Sequence, residues 1–144
     1  MQPTIRYVGL NVHRNRLRRL KSKYLQEPVN AALYAAGEAV RADAQASILD
    51  GAILGPGHIP SKPGEPPNAD TRNLDLSIDV ELSRSRKSVQ VTAKAHYAAA
   101  LEFGTSRVAA RPFMGPALRR NRNRAVYGAA LAASGKRVRV FKGK

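Results

Sequence analysis

The chain is predicted to be α+β, on three observations from its sequence. Apolar residues recur at three- and four-residue steps across 29–48. Apolar and polar residues alternate in two short runs between 78 and 94, and a stretch dense in Pro and Gly separates the two patterns. The expected architecture is a long N-terminal helix packed on a small antiparallel sheet with a β-hairpin, then a C-terminal helix and a final strand. At 144 residues the chain has length for one modest core and not two, so 1–144 is read as a single domain. Within it lie a basic N-terminal arm at 1–24, an extended loop at 51–70 and a basic C-terminal strand at 136–144.

Residues 3–12 alternate loosely, with Ile5 and Tyr7 on one side, and read as a weak strand or an extended arm. From Arg14 to Leu25, Leu17, Leu20 and Tyr24 form a thin helical stripe among basic residues. Such a segment can lie on nucleic acid, on a neighbouring subunit or on a membrane. The membrane ranks last, because three apolar residues make too small a face. Pro28 suits the first turn of a second helix running to Leu49, with Val29, Leu33, Ala36, Val40, Ala44 and Ile48 as its stripe. Gly37 costs that helix about 1 kcal/mol relative to Ala unless something approaches closely there.

Residues 51–70 hold five of the nine prolines and four of the eleven glycines, which leaves no regular element. A loop of that length inside a small domain is read as one that reaches out and orders against a partner. Asp70-Thr71 offers an N-cap for a short helix. Ile78, Val80 and Leu82 then pair with Val89, Val91 and Ala93 in a hairpin turning at Ser85-Arg86-Lys87. His96 to Phe103 is a short helix or helical turn stopped by Gly104, and Arg111-Pro112 forces an extended step. Pro116 opens a helix with Leu118, Val126, Ala130 and Leu131 as inner positions, ended by Gly135. Residues 137–142 alternate again as a basic strand.

Hydrophobic content of 43% suffices for a core, but aromatics are 6% and Trp is absent, so close packing through alanine is expected. The lack of Cys excludes disulfides and thiolate metal sites. No apolar run reaches the roughly 20 residues of a membrane span, and the N-terminus lacks a secretory h-region; the chain reads as soluble and intracellular. Charge is segregated. Residues 1–24 carry seven Lys/Arg and 103–144 carry eleven, both without an acid, while 25–102 hold all ten acids and seven bases. Two basic flanks on a chain of net charge +15 imply a polyanionic partner, nucleic acid or the acidic face of another protein. The contact residues expected in the first flank are Arg14, Arg16, Arg18, Arg19 and Lys21. Those on the C-terminal helix are Arg119, Arg120, Arg122 and Arg124, and those on the last strand are Arg137 and Arg139.

Catalysis finds no support. His13, His58 and His96 are dispersed, and the serines lack a nucleophile-elbow context. Gly55-Pro56-Gly57 lacks the Lys-Ser/Thr of a phosphate loop, and Asp79 with Glu81 lies on the outer face of a strand. No enzyme activity, metal or cofactor is expected. The densest segment is Tyr97–Leu118, YAAALEFGTSRVAARPFMGPAL, which reads as a surface fitted against another chain. Glu102 is its one acid, either ion-paired with Arg107 or Arg111 or facing solvent. Phe103 and Phe113 suit packing better than base stacking.

The order of these motifs resembles the head–tail joining family, the neck or tail-completion proteins of long-tailed double-stranded DNA phages. Members show a long helix, a PG-x-PP element, T-G-x-L-x-x-S-I, a hairpin, Y-A-x-x-x-E-F-G-T and A-R-P-F before a helix. Here these stand as Pro63-Gly64-Glu65-Pro66-Pro67, Thr71 to Ile78, Tyr97-Ala98, Glu102-Phe103-Gly104-Thr105 and Ala110-Arg111-Pro112-Phe113. The resemblance covers about residues 25–131. Arg72 departs from it, standing at the usual Gly, so a different backbone turn is expected there.

The resemblance implies a virion protein, assembled in the host cytoplasm, that forms a ring in the neck or as a tail terminator. Such a ring joins the head-closure connector to the tail tube around the channel for packaged double-stranded DNA. A hexamer is favoured because the tube is sixfold, and a dodecamer is the alternative nearer the portal. It also implies subunit contacts through Tyr97, Glu102, Phe103, Gly104, Thr105, Arg111, Pro112 and Phe113. Loop contacts would come from Pro56, His58, Pro63, Gly64, Pro66 and Pro67. The alternative from composition alone is a small basic nucleic-acid-binding protein.

Overall fold

A computed structural model describes residues 10–20, 23–83 and 88–134. Its scaffold is one long helix, Lys23–Leu49, here α2, preceded by α1 at Leu10–Leu20. Residues 10–12, expected to be extended, are the first turn of α1. Pro28 opens no new helix and sits inside α2. A proline six residues into a helix forfeits one N–H bond, and the remaining 21 residues carry the packing. The stripe on α2 is as spaced: Val40, Ala44 and Ile48 are buried, while Val29, Leu33 and Ala36 are half-buried.

A two-stranded antiparallel sheet lies against α2. Strand β1, Ile78–Leu82, pairs with β2, Val89–Ala93, in the register Ile78 to Ala93, Val80 to Val91 and Leu82 to Val89. That register puts the apolar residues of both strands on one face, as alternation requires. Gly37 is where sheet meets helix: a Cβ there would lie 2.7 Å from Val80 Cγ1 and 2.8 Å from Val89 Cγ2. The missing side chain is the space the hairpin fills. The hairpin turn at 85–87 and the final strand at 136–144 lie outside the described residues.

Among the described residues there are also three short helical pieces: a 3-10 turn at Gly55–Gly57, α3 at Asn73–Leu76 and α4 at Ala98–Phe103. Helix α3 is not capped by Asp70 or Thr71. Its N-cap is Arg72 in the left-handed conformation, φ +63°. Arg72 is held in that turn by two hydrogen bonds to Asp75 Oδ2 at 3.2 and 3.0 Å.

The C-terminal helix, α5, spans Met114–Ala133 and packs along α2. It starts two residues before Pro116, and its inner face differs from the expected one. Leu118 and Val126 are 56% and 63% exposed and Ala130 is exposed, leaving Leu131 half-buried. Among the residues of α5 whose side chains are described, the buried ones are Ala117, Asn121 and Ala132. Small side chains let the two helices approach closely, and Asn121 anchors the rotation by donating to Asp43 Oδ2 at 2.8 Å. The core joins Val40, Ala44 and Ile48 to Leu74, Ile78, Ala98 and Ala117 around Phe113, the largest fully buried side chain among the described residues.

Candidate functional site

The segment between α4 and α5 is held by hydrogen bonds that the sequence does not advertise. Glu102, on the last turn of α4, points its carboxylate at the start of α5. Its Oε2 accepts from the N–H of Phe113 at 2.9 Å and of Met114 at 3.0 Å, and its Oε1 accepts from Gly115 at 2.8 Å. The first N–H groups of a helix have no partner within it, and a carboxylate there also meets the favourable end of the helix dipole. Glu102 therefore caps α5 from another helix, and it pairs with neither Arg107 nor Arg111 among the described residues. Arg111 instead donates from Nε to the Ser61 carbonyl at 3.1 Å.

Gly104 ends α4 at φ +74°, with Ala110 N 3.0 Å and Val108 O 3.1 Å from where a Cβ would stand. The Thr105 hydroxyl then accepts from the N–H groups of Arg107 and Val108, closing a tight turn. Pro112 carries the chain into Phe113, which is 1% exposed and belongs to the core, not to a subunit surface. Of the eight residues expected at an interface, Glu102, Gly104, Thr105, Arg111 and Phe113 serve internal contacts. Only Phe103 is presented outward as a bare apolar side chain, 82% exposed. Tyr97 is half-buried beside the core, its ring edge-on to His96.

The Pro/Gly loop does not reach out. Ala69 N–H donates to Ile48 O, Asn68 to Ile59 O, and Gly64 N–H to Ala110 O at 2.8 Å, so the loop is laced to α2 and to the Arg-Pro-Phe corner. Backbone groups need partners wherever they are shielded, and here the body supplies them. Pro67 is buried and Pro66 half-buried, while Pro56 and Pro63 are exposed.

Where loop, α3 and α4 meet, they enclose an open cleft of about 590 Å³. His58, Ser61, Pro67, Asp75, Tyr97 and Arg111 are among its lining residues. Two polar atoms there, Ser61 Oγ and Asp75 Oδ1, are buried with no hydrogen-bond partner. Asp75 is 1% exposed, and only its Oδ2 is engaged, by Arg72. The sequence reading missed both. Asp75 carries a signal in retrospect, an acid three residues after Arg72 and set between Leu74 and Leu76 in a short helix.

The basic surface is partly committed. Arg120 holds Asp43 through Nε at 2.8 Å and Nη2 at 3.1 Å, so it is a packing tie between α5 and α2 and not a free contact. Hydrogen bonds from Arg120, and from Asn121 beside it, keep the Asp43 carboxyl below its ordinary value against the opposing pull of burial. Lys94, bonded to Asp79, likewise lowers that acid while its own value rises. Arg14, Arg16 and Arg18 on α1, and Arg119, Arg122 and Arg124 on α5, are exposed and form no ion pair among the described residues. Lys21, Arg137 and Arg139 lie outside the described residues, as does the side chain of Arg19. No group of three or more His, Asp or Glu able to hold a metal occurs among the described residues, and no helix there is long and apolar enough to cross a membrane. No protein-family model, curated protein or solved structure matches the chain.

Proposed function

We propose that the protein is a non-enzymatic ring component of a phage head–tail junction, a neck, tail-completion or tail-terminator subunit. It would bridge the head-closure connector and the tail tube around the DNA channel. The observation that carries this reading is the apolar surface a 144-residue chain leaves in water. Phe103, Leu76 and Tyr127 are 82%, 69% and 72% exposed, with Leu118 and Val126 above half. Side chains of that size exposed on separate elements suit a heterologous contact, one face meeting a different face of the next copy. The motif succession supports it too, because Glu102 ties the E-F-G-T element to the helix that follows A-R-P-F.

The unpaired arginines of α1 and α5 would then face packaged DNA or an acidic neighbouring ring. The test is mass in solution by native mass spectrometry, alone and with connector and tail-tube proteins. Six copies of 15.6 kDa give about 94 kDa, and a dodecamer twice that. A monomer under all these conditions would overturn the reading.

The same unpaired arginines favour one second reading, a small basic nucleic-acid-binding protein. It requires the isolated monomer to bind duplex DNA with an affinity falling steeply with salt, whereas a neck subunit binds weakly until assembled.

A further inference from the structure

Most acids of this chain already have a partner. Glu38, Asp43, Asp75, Asp79 and Glu81 are held by Arg or Lys, and Glu65 and Glu102 accept backbone N–H groups. The remaining three of the ten, Glu27, Asp50 and Asp70, are exposed and form no side-chain bond among the described residues. Glu27 lies at the other end of α2, about 33 Å from Leu49. Asp50 and Asp70 share one end. Ala69 N–H donates to Ile48 O at 2.9 Å, so these two acids flank a single tie between α2 and the loop. Leu49, Ile53, Leu54 and Ile59 are exposed on the same segment. It is held in shape by its own bonds, His58 N–H to Gly55 O and Asn68 Nδ2 to Ile59 O, both at 2.9 Å. No Lys or Arg occurs from Ala42 to Ser61, and Arg72 gives its guanidinium to Asp75. The end of α2 is therefore an apolar knob with two uncommitted acids.

Helix α5 carries the complement. At about 100° per residue, Leu118, Arg119, Arg122 and Val126 fall within one arc of about 100°, and all four are exposed. Neither arginine has an ion pair among the described residues, and α5 contains no acid. Guanidinium and aliphatic groups on one stripe suit a protein partner, since a duplex would engage the arginines but set Leu118 and Val126 against phosphate. Stripe and knob do not meet within one chain. Arg120 is fixed to Asp43, and Asp50 lies about 10 Å farther along α2. We infer that the α5 stripe of one copy docks on the knob of the next copy. Arg119 and Arg122 pair there with Asp50 and Asp70, while Leu118 and Val126 cover Ile53, Leu54 and Ile59. The two surfaces are different parts of the chain, so the contact is heterologous and runs head to tail. It rests on the ring reading, gives that ring its interface, and leaves DNA to the arginines of α1.

A charge exchange between two full-length variants tests it. Arg119→Glu with Arg122→Glu makes stripe and knob both acidic, and Asp50→Lys with Asp70→Lys makes both basic. All four residues are exposed, and circular dichroism checks that each variant keeps its fold. Alone, each variant should lose at least about tenfold of the assembled species in native mass spectra, because like charges now face each other. Mixed in equal amounts, the two should regain it as an alternating ring, in which every stripe again meets a knob of opposite charge. A mixture that stays unassembled overturns the inference. So does either variant assembling alone as the parent does, and if the arginine pair then loses affinity for duplex DNA, the stripe serves DNA instead. In both cases the ring formed by the parent keeps the ring reading intact. A parent that never assembles overturns that reading and the inference with it.

Discussion

Replacing Glu102 is the most direct measure of how the α4–α5 junction is built. In Glu102→Ala, three backbone N–H groups at 2.8–3.0 Å lose their acceptor at once. Removing a helix N-cap costs about 0.5–2 kcal/mol, and bonds to a charged partner are worth about 1.5–3 kcal/mol net. Glu102 is half-buried, so water can replace part of what is lost. A total of about 3 kcal/mol follows, or roughly 6–12 °C in Tm for a domain of this size. Glu102→Gln should cost about half as much. It keeps one oxygen, but both carboxylate oxygens are in use and the new amide must point its own N–H at a donor. Urea unfolding followed by circular dichroism at 222 nm measures both variants against the parent. If Glu102→Ala costs less than about 0.5 kcal/mol, the carboxylate does not hold α5 and the account of the junction is wrong.

Gly37→Ala tests the helix–hairpin contact: propensity alone predicts a gain of about 1 kcal/mol, but methyl contacts at 2.7 and 2.8 Å should turn it into a net loss of about 1 kcal/mol by urea unfolding. Gly104→Ala meets a left-handed backbone and a Cβ 3.0 Å from Ala110 N, so a loss of about 2 kcal/mol is expected in the same assay. Asp43 is lowered in the folded state, so its pairing stabilises above its ordinary value of 3.8 and is lost as pH falls below it. Arg120→Ala should thus lower Tm by about 2–3 °C at pH 6 and by less near pH 3, read by thermal melts across that range. Phe103→Ser should leave the stability of the single chain within about 0.5 kcal/mol while reducing the mass seen in native spectra.

Periodicity carried much of the fold. The hairpin register follows from Ile78-Asp79-Val80-Glu81-Leu82 against Val89-Gln90-Val91-Thr92-Ala93, because a slip of one residue would expose every apolar side chain. The α2 stripe and the stop at Gly104 were legible for similar local reasons. Helix α5 was not. Choosing Leu118 and Val126 as its inner residues weighs hydrophobicity alone, whereas close approach of two helices rewards small residues such as Ala117 and Ala132. Nor could sequence separate Phe103 from Phe113, two similar residues ten positions apart of which one is bare and the other the centre of the core.

The candidate site divides in the same way. By itself the sequence determined the elements, the segregation of eighteen bases into two acid-free flanks and the order of the motifs, since all three depend on neighbours along the chain. Only the tertiary structure decided what the charged residues do. Glu102 caps a helix eleven residues away, Arg111 holds a carbonyl fifty residues back, and Arg120 ties an acid seventy-seven residues earlier. The cleft around Asp75 exists only because a loop, two short helices and the Arg-Pro-Phe corner converge. A charge finds its partner by distance in space, and that distance is fixed only when the core has closed.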